Sequence, residues 1–243
     1  MELGLKDKIV VVTGAGGAIG REICQAQMAH GAKVIGVDIA GLKDMDFPCY
    51  HVDLGSRESI EKGCHEILAD HGRIDVLVNN AAFYAGIKVG PMEEIPLDEW
   101  DSVMNVNVKG LYLMIKGLLD GLKKAKGKVI NFSSASVQKG GPYMLHYVAS
   151  KGAVLAMTWA LSTELGRHGI AVNAISPGLV DTASSQGIFP QFQQRLDMFV
   201  AGQSIKQPLK AKDIVGAVLY LSSAWSDAVS GQVCLVDRGA IKH

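Results

Sequence analysis

Tyr147 and Lys151 stand four residues apart in Tyr147-Val148-Ala149-Ser150-Lys151, a spacing that puts both side chains on one face of a helix. A tyrosine hydroxyl ordinarily titrates near pH ~10 and is a poor base at neutral pH. A fixed ammonium one turn away favours the phenolate, as would the positive charge of an oxidised nicotinamide. Tyr147 would then come within the range of general acid/base work. The pair alone is weak evidence, because solvated helix faces carry the same spacing. Ser134 lies 13 residues earlier, at the end of a strand-like run, where its hydroxyl could hydrogen-bond a substrate oxygen and steady developing charge. Ser133 beside it reads as structural. Asn107, in Asn105-Val106-Asn107-Val108-Lys109-Gly110, falls mid-helix, where asparagine is intrinsically disfavoured. Three roles are open to it there: distorting the helix, holding a water, or facing solvent.

A second group of residues points to a dinucleotide. The run Thr13-Gly14-Ala15-Gly16-Gly17-Ala18-Ile19-Gly20 joins an apolar strand to a helical pattern. Glycines there let the backbone approach a pyrophosphate, and the helix N-terminus offers free N–H groups and a favourable dipole. The second strand ends in Asp38, 24 residues beyond Gly14, where a carboxylate can accept both ribose hydroxyls of NAD and repel a 2′-phosphate. Ile39 follows, with no Arg or Lys immediately beside it to welcome NADP. Asp53 and Leu54, after the third strand, are placed for the adenine; capping is an equal alternative for Asp53. Asn79-Asn80-Ala81-Ala82 closes the fourth strand, where Asn side chains can stitch strand ends together and small Ala residues leave room for a flat ring.

The elements that must position these residues alternate from end to end. Strands are expected over 8–13, 33–38, 49–53, 74–79, 128–133, 170–176 and 232–237. Helices are expected over 18–30, 56–71, 97–124, 147–168 and 213–222. Continuous Val/Ile-rich strands separated by helices imply an α/β Rossmann-type fold, a doubly wound parallel sheet of about seven strands covered on both faces. The irregular span 178–208 is too long for an ordinary connection and reads as a substrate lid, at about 179–208, with short helices of its own.

The bulk properties agree with a single dinucleotide-binding and catalytic domain over 1–243. Of 243 residues, 48% are hydrophobic and 20% charged, enough apolar material for one large core. Lys+Arg 24 and Asp+Glu 24 cancel, giving no electrostatic reason to expect nucleic acid or an anionic membrane as partner. The start does not read as a signal peptide, and no apolar run approaches the ~18–20 residues of a membrane span. Cys24, Cys49, Cys64 and Cys234 are scattered without metal-ligand spacing, so reduced thiols in a cytoplasmic protein with no metal are expected.

On the Thr13–Gly20 turn, the Asn79–Ala82 segment, Asn107 before Val-Lys-Gly, Ser134, Tyr147-x-x-x-Lys151 and Pro177-Gly178, the chain resembles the short-chain dehydrogenase/reductase family, single-domain branch, over essentially its whole length. The resemblance implies that Tyr147 is the acid/base, that Ser134 orients a carbonyl, that Lys151 also binds nicotinamide ribose, and that Asn107 anchors a proton-relay water. It further implies contacts to the nicotinamide amide from Pro177, Gly178, Val180 and Thr182, and a homotetramer or dimer. Three positions depart from the family pattern. Ala18 replaces the middle glycine with Gly17 before it, Ala82 replaces a glycine, and Asp237-Arg238-Gly239 replaces Asp-Gly-Gly.

The expected reaction is hydride transfer between NAD and a medium-sized secondary alcohol or ketone with apolar surface. Phe83, Ser136, Gln138 and Met144 are candidate substrate contacts, alongside Tyr84 and, from the lid, Phe189, Phe192, Met198 and Phe199. The tail 236–243 is similar to that of relatives oxidising aryl or alkyl alcohols, and either completes a neighbour's pocket or is a frayed end. Sugar or polyol oxidation, lyase or epimerase chemistry, and non-catalytic nucleotide sensing are the competing classes, because fold alone does not fix function. An acid/base set speaks against a pure sensor.

Overall fold

The computed structural model describes residues 2–189 and 191–242. Its elements run β1 (Ile9–Thr13), α1 (Ala18–Ala29), β2 (Lys33–Asp38), β3 (Cys49–His51), α2 (Arg57–His71), β4 (Val76–Asn79), α3 (Leu97–Met104), a π-helical stretch (Asn105–Gly110), α4 (Leu111–Gly117) and α5 (Leu119–Ala125). They continue through β5 (Lys128–Phe132), α6 (Ser136–Lys139), α7 (Leu145–Gly166), β6 (Ala171–Pro177), β7 (Val180–Asp181), α8 (Ala183–Ile188), α9 (Phe192–Gly202), β8 (Leu209–Lys210), α10 (Lys212–Ser222) and β9 (Val233–Val236).

Seven strands form one parallel sheet in the order β3-β2-β1-β4-β5-β6-β9, and β7 and β8 pair separately. The order reverses between β1 and β4, so their following loops diverge and open a crevice at the carboxyl ends of the strands. Val10, Val11 and Val12 of β1 are buried on both faces, as a doubly wound sheet requires. One face packs Val11, Leu77 and Val129 against Met114 and Leu118; the other packs Val10, Val12 and Ile130 against Ile23, Ile214 and Val218. The two sheet edges differ. β3 is three residues long with His51 exposed, whereas the outer strand β9 presents the half-buried run Val-Cys-Leu-Val.

The expected single helix over 97–124 is interrupted. α3 passes into the π-helical stretch, and α4 ends at Gly117 before α5 begins. The wide turn has a tertiary cause: a Cβ on Gly110 would lie 2.5 Å from the Leu54 carbonyl oxygen, so the backbone itself packs there. The helix after Ser134 starts at Leu145, placing Tyr147 in its first turn. The third strand stops at His51, leaving Asp53 and Leu54 in the following loop. The span expected as a lid carries α8 and α9, together with β7; Pro190 within it lies outside the described residues.

Candidate active site

The turn after β1 is built around close backbone approach. Gly14 has φ +69°, and a Cβ there would sit 2.7 Å from the Asn80 amide nitrogen. That nitrogen donates to the Thr13 and Gly14 carbonyls at 2.9 and 3.2 Å, tying the end of β4 to the turn. Gly20 admits no side chain because its Cβ would meet the Gly14 carbonyl oxygen at 2.0 Å. Gly17 caps α1 without any side-chain hydrogen bond to the first-turn amides. Those amides are therefore left to whatever lies in front of them.

The Asp38 carboxylate is fixed by three main-chain donors: Gly16 N at 2.9 Å, Ile39 N at 2.7 Å and Ala40 N at 3.2 Å. The fold also brings Arg21 into this neighbourhood, which sequence adjacency did not reveal. Its guanidinium donates to the Gly16 and Gly41 carbonyls, and it is absent from the cavity wall. Asn79 donates to Asn131 Oδ1 at 3.0 Å, the stitch between β4 and β5 that its position suggested.

A cavity of about 810 Å³ opens over the carboxyl ends of the strands. Its wall includes Gly14, Gly17, Ala18, Ile19 and Gly20 of the turn, Asp38, Asp53, Leu54, Asn80 and Ala81 beyond the next strands, and Pro177, Gly178, Val180 and Thr182 after β6. Ser134, Tyr147 and Lys151 face the same space, as do Phe83, Ser136 and Met144. The residues fit a dinucleotide by their chemistry: uncapped helix amides for phosphate, a carboxylate for ribose hydroxyls, and a glycine turn that leaves no room for a Cβ.

Four expected site residues lie elsewhere: Phe192 and Met198 of the lid, Gln138 and Asn107. Gln138 does not border the cavity; on the single turn of α6 its Oε1 is buried without a partner, while Ser136 and Lys139 face the cavity. Asn107 is likewise absent from the wall. It is buried, accepts from Phe83 N at 2.6 Å, and donates to Phe83 O at 3.3 Å and Ser150 Oγ at 3.1 Å. Ser150 in turn donates to the Tyr147 carbonyl at 2.7 Å. The side chain is thus a strut holding the segment after β4 against the first turn of α7.

Around the reactive groups, Ser136 donates through both its hydroxyl (2.8 Å) and its amide (3.2 Å) to Ser134 Oγ, fixing that oxygen. Ser133 donates to the Lys151 carbonyl at 2.9 Å. Lys151 is buried, and its Nζ donates to the Phe132 carbonyl at 2.8 Å while lying 5.8 Å from the centre of the Tyr147 ring. Burial lowers the Lys151 ammonium to about 8. Tyr147 corrects the expectation drawn from its spacing to Lys151. Burial, and then the neighbouring Tyr84, push its hydroxyl above the ordinary tyrosine range, with only Ser134 acting the other way. Desolvation is the dominant influence on this hydroxyl in the protein by itself.

Sequence reasoning passed over several other wall residues. Lys139 and Arg195 both line the cavity. The signal for Arg195 was its place among the lid aromatics, one turn before Phe199. Tyr84, expected beside Phe83 as a wall residue, does line the cavity, its ring tilted 47° to that of Tyr147 with centres 5.1 Å apart. Asp237 and Ala240 also face the chain's own cavity, and Asp237 accepts from Gly239 N and Ile241 N, so the tail up to Lys242 is folded back rather than frayed. His243, at its end, lies outside the described residues. Among the described residues, no His, Cys, Asp and Glu cluster is arranged to hold a metal, and no helix is long and apolar enough to cross a membrane.

The chain matches the family model described as Enoyl-(Acyl carrier protein) reductase over residues 14–240. It is 35% identical to Dehydrogenase/reductase SDR family member 6 of Aquarana catesbeiana, over 97% of this chain and 98% of that protein. Its fold superposes on a gluconate 5-dehydrogenase from Beutenbergia cavernae, described as putative, NAD(P) dependent and with bound NADP, at a TM-score of 0.90 and 30% identity, covering 99% of each chain. It also matches the 3-ketoacyl-(acyl-carrier-protein) reductase from Brucella melitensis complexed with NADH, at a TM-score of 0.86 and 28% identity, covering 98% of this chain and 99% of that one.

Proposed function

The chain belongs to the short-chain dehydrogenase/reductase family of nicotinamide-dependent oxidoreductases, and from that premise we propose that it moves a hydride between NAD and a medium-sized secondary alcohol or ketone with apolar surface. The observation that carries this reading is the single cavity that joins the Asp38 carboxylate and the glycine turn to Ser134, Tyr147 and Lys151.

Bound dinucleotide supplies the hydride acceptor or donor. Tyr147 takes the alcohol proton in oxidation and returns it to the carbonyl oxygen in reduction. Ser134, its hydroxyl oxygen held by Ser136, is oriented for a hydrogen bond to that same oxygen. Lys151 spends one N–H on Phe132, leaving others for ribose hydroxyls. The positive charge of an oxidised cofactor would act against burial and favour the Tyr147 phenolate. The Asn107 amide is committed to Phe83 and Ser150, so its part is to hold the segment after β4 against α7 rather than to carry a relay water on its side chain. Asp38, with Arg21 engaged elsewhere, supports NAD over NADP.

The segment 179–208 serves as the lid, closing apolar Phe189 and Phe199 over the substrate, and Ala240 adds the tail to the same wall. Exposed Tyr112 and Trp159 support self-association into a dimer or tetramer. The test is a steady-state screen of secondary alcohols, ketones and polyols with NAD and NADP side by side. We expect net formation of reduced nicotinamide with aryl-alkyl or alkyl secondary alcohols, and NAD preferred. Polyols winning in kcat/KM, or cofactor binding without turnover, would reject the reading.

A further inference from the structure

The charges in the cavity wall are divided. Asp38 and Asp53 lie at the end formed by the loops after β2 and β3, while Arg195 of α9 and Lys139 of α6 line it on the lid side. The Arg195 guanidinium carbon sits 4.2 Å from the centre of the Phe189 ring, and Lys139 Nζ sits 4.9 Å from the centre of the Phe199 ring. Phe199 follows Arg195 by one helical turn of α9, so that ring and the guanidinium share one face, while Phe189 comes from the end of α8. Among the described residues neither cation forms an ion pair, and neither side chain donates a hydrogen bond. The other acid in the wall, Asp237, is engaged by the amides of Gly239 and Ile241.

Resting on the dehydrogenase reading above, we propose that the substrate is an acid: its carboxylate is held by Arg195, with Lys139 at the rim, while its carbinol or carbonyl carbon lies at Tyr147. The Arg195 guanidinium makes no side-chain hydrogen bond among the described residues, so its N–H edge is free, and such an edge matches a carboxylate with two parallel hydrogen bonds. Position relative to the reacting group also fits. Arg195, Tyr84 and Tyr147 all border the same cavity, and the Tyr84 ring centre lies 5.1 Å from that of Tyr147. The anion site and the acid/base therefore open onto one space, as a hydroxy or keto acid requires. Phe189, Phe199 and Met144 between and around them take the apolar part of the chain.

The experiment compares a hydroxy acid with its methyl ester, its primary amide and a phosphate monoester of matched length, at saturating cofactor, in the parent enzyme and in Arg195→Gln, Arg195→Lys and Lys139→Gln. A charge-assisted pair predicts an acid-to-ester ratio in kcat/KM of about 10 to 100 in the parent. The ratio should fall toward one in Arg195→Gln and be partly kept in Arg195→Lys. Loss of lid packing alone would lower acid and ester together and leave the ratio standing. Equal use of acid and ester by the parent, survival of the preference in Arg195→Gln, or a phosphate ester preferred over the acid would each overturn the proposal. Calorimetric binding of acid and ester to the protein loaded with reduced cofactor gives the same comparison without turnover. Neutral alcohols turned over as well as acids would defeat only the anion site, whereas tighter binding of the acid with no hydride transfer to any compound would defeat only the dehydrogenase reading.

Discussion

Lys151 Nζ donates to the Phe132 carbonyl at 2.8 Å, anchoring the buried end of α7's first two turns to the carboxyl end of β5. One neutral acceptor does not replace the water that an ammonium loses on burial, and Lys151 titrates at about 8 instead of 10.5. Below about pH 8 the residue is charged in both folded and unfolded chains, and the fold bears the full desolvation cost. Between about 8 and 10.5 the unfolded chain holds more protons, so this residue's contribution to stability rises with pH. Lys151→Met should therefore be more stable than the parent at pH 7, by at most ~3 kcal/mol. That advantage should shrink between pH 8 and 10. Urea melts at the two pH values check this; a constant difference would show that Lys151 is not the titrating group. The paired comparison is needed because Cys24 and Cys64, pushed by burial to about 12, act in the opposite sense above pH 9.

Tyr147→Phe keeps the ring that stacks on Tyr84 and removes only the proton-transferring hydroxyl. NAD binding, followed by fluorescence titration, should stay within a few-fold of the parent. Turnover should fall by about 10² to 10⁴. Activity kept near the parent's would remove Tyr147 from the acid/base role.

Asp38→Ala deletes the carboxylate that faces the cavity beside the glycine turn. NAD should bind about 10- to 100-fold more weakly, and NADP should lose much less. Asp38→Asn, which keeps a partner for the Gly16 amide, separates lost charge from a disturbed turn. The measurement is the ratio of the two dissociation constants, and an unaltered ratio in both variants would refute the assignment.

His146, adjacent to Tyr147, is fully buried and hydrogen-bonds Glu99 Oε1 at 2.8 Å, and the same oxygen accepts from Lys88 N at 3.0 Å. Glu99→Ala leaves the buried His146 ring nitrogen without its partner, whereas water can replace Glu99 at the exposed Lys88 amide, so it should lower stability by about 1–3 kcal/mol in a chemical denaturation series. The exposed Arg57–Glu61 pair is shorter at 2.7 Å, yet Arg57→Ala should leave the midpoint where it is, because water and salt already screen that pair.

The strand and helix order, and nearly every residue of the cofactor wall, were legible because valine-rich runs and a glycine turn are local signals. The features that escaped are those set by distant neighbours. Gly110 bends its helix because Leu54 lies against it, and Leu54 is 56 residues away. Gln138 lies off the cavity while Ser136 and Lys139 of the same turn face it, a choice of face that a four-residue helix does not announce in its sequence. The sense of the Tyr147 shift depended on burial, which i, i+4 spacing does not carry. Arg195 and Lys139 were hidden for the same reason: their Phe partners come from the folded lid.

The inequality of the sheet edges has a consequence for the protein in bulk. β3 is too short and too polar at its tip to recruit another chain, whereas β9 ends the sheet with an apolar strand that has no strand on its outer side. A row of main-chain donors and acceptors beside half-buried valine and leucine is a template for adding strands. Of the two edges, this one is the more open to strand addition. A lysine at Val233 or Leu235 would act as a gatekeeper against edge-to-edge aggregation, while leaving the distant cofactor turn untouched.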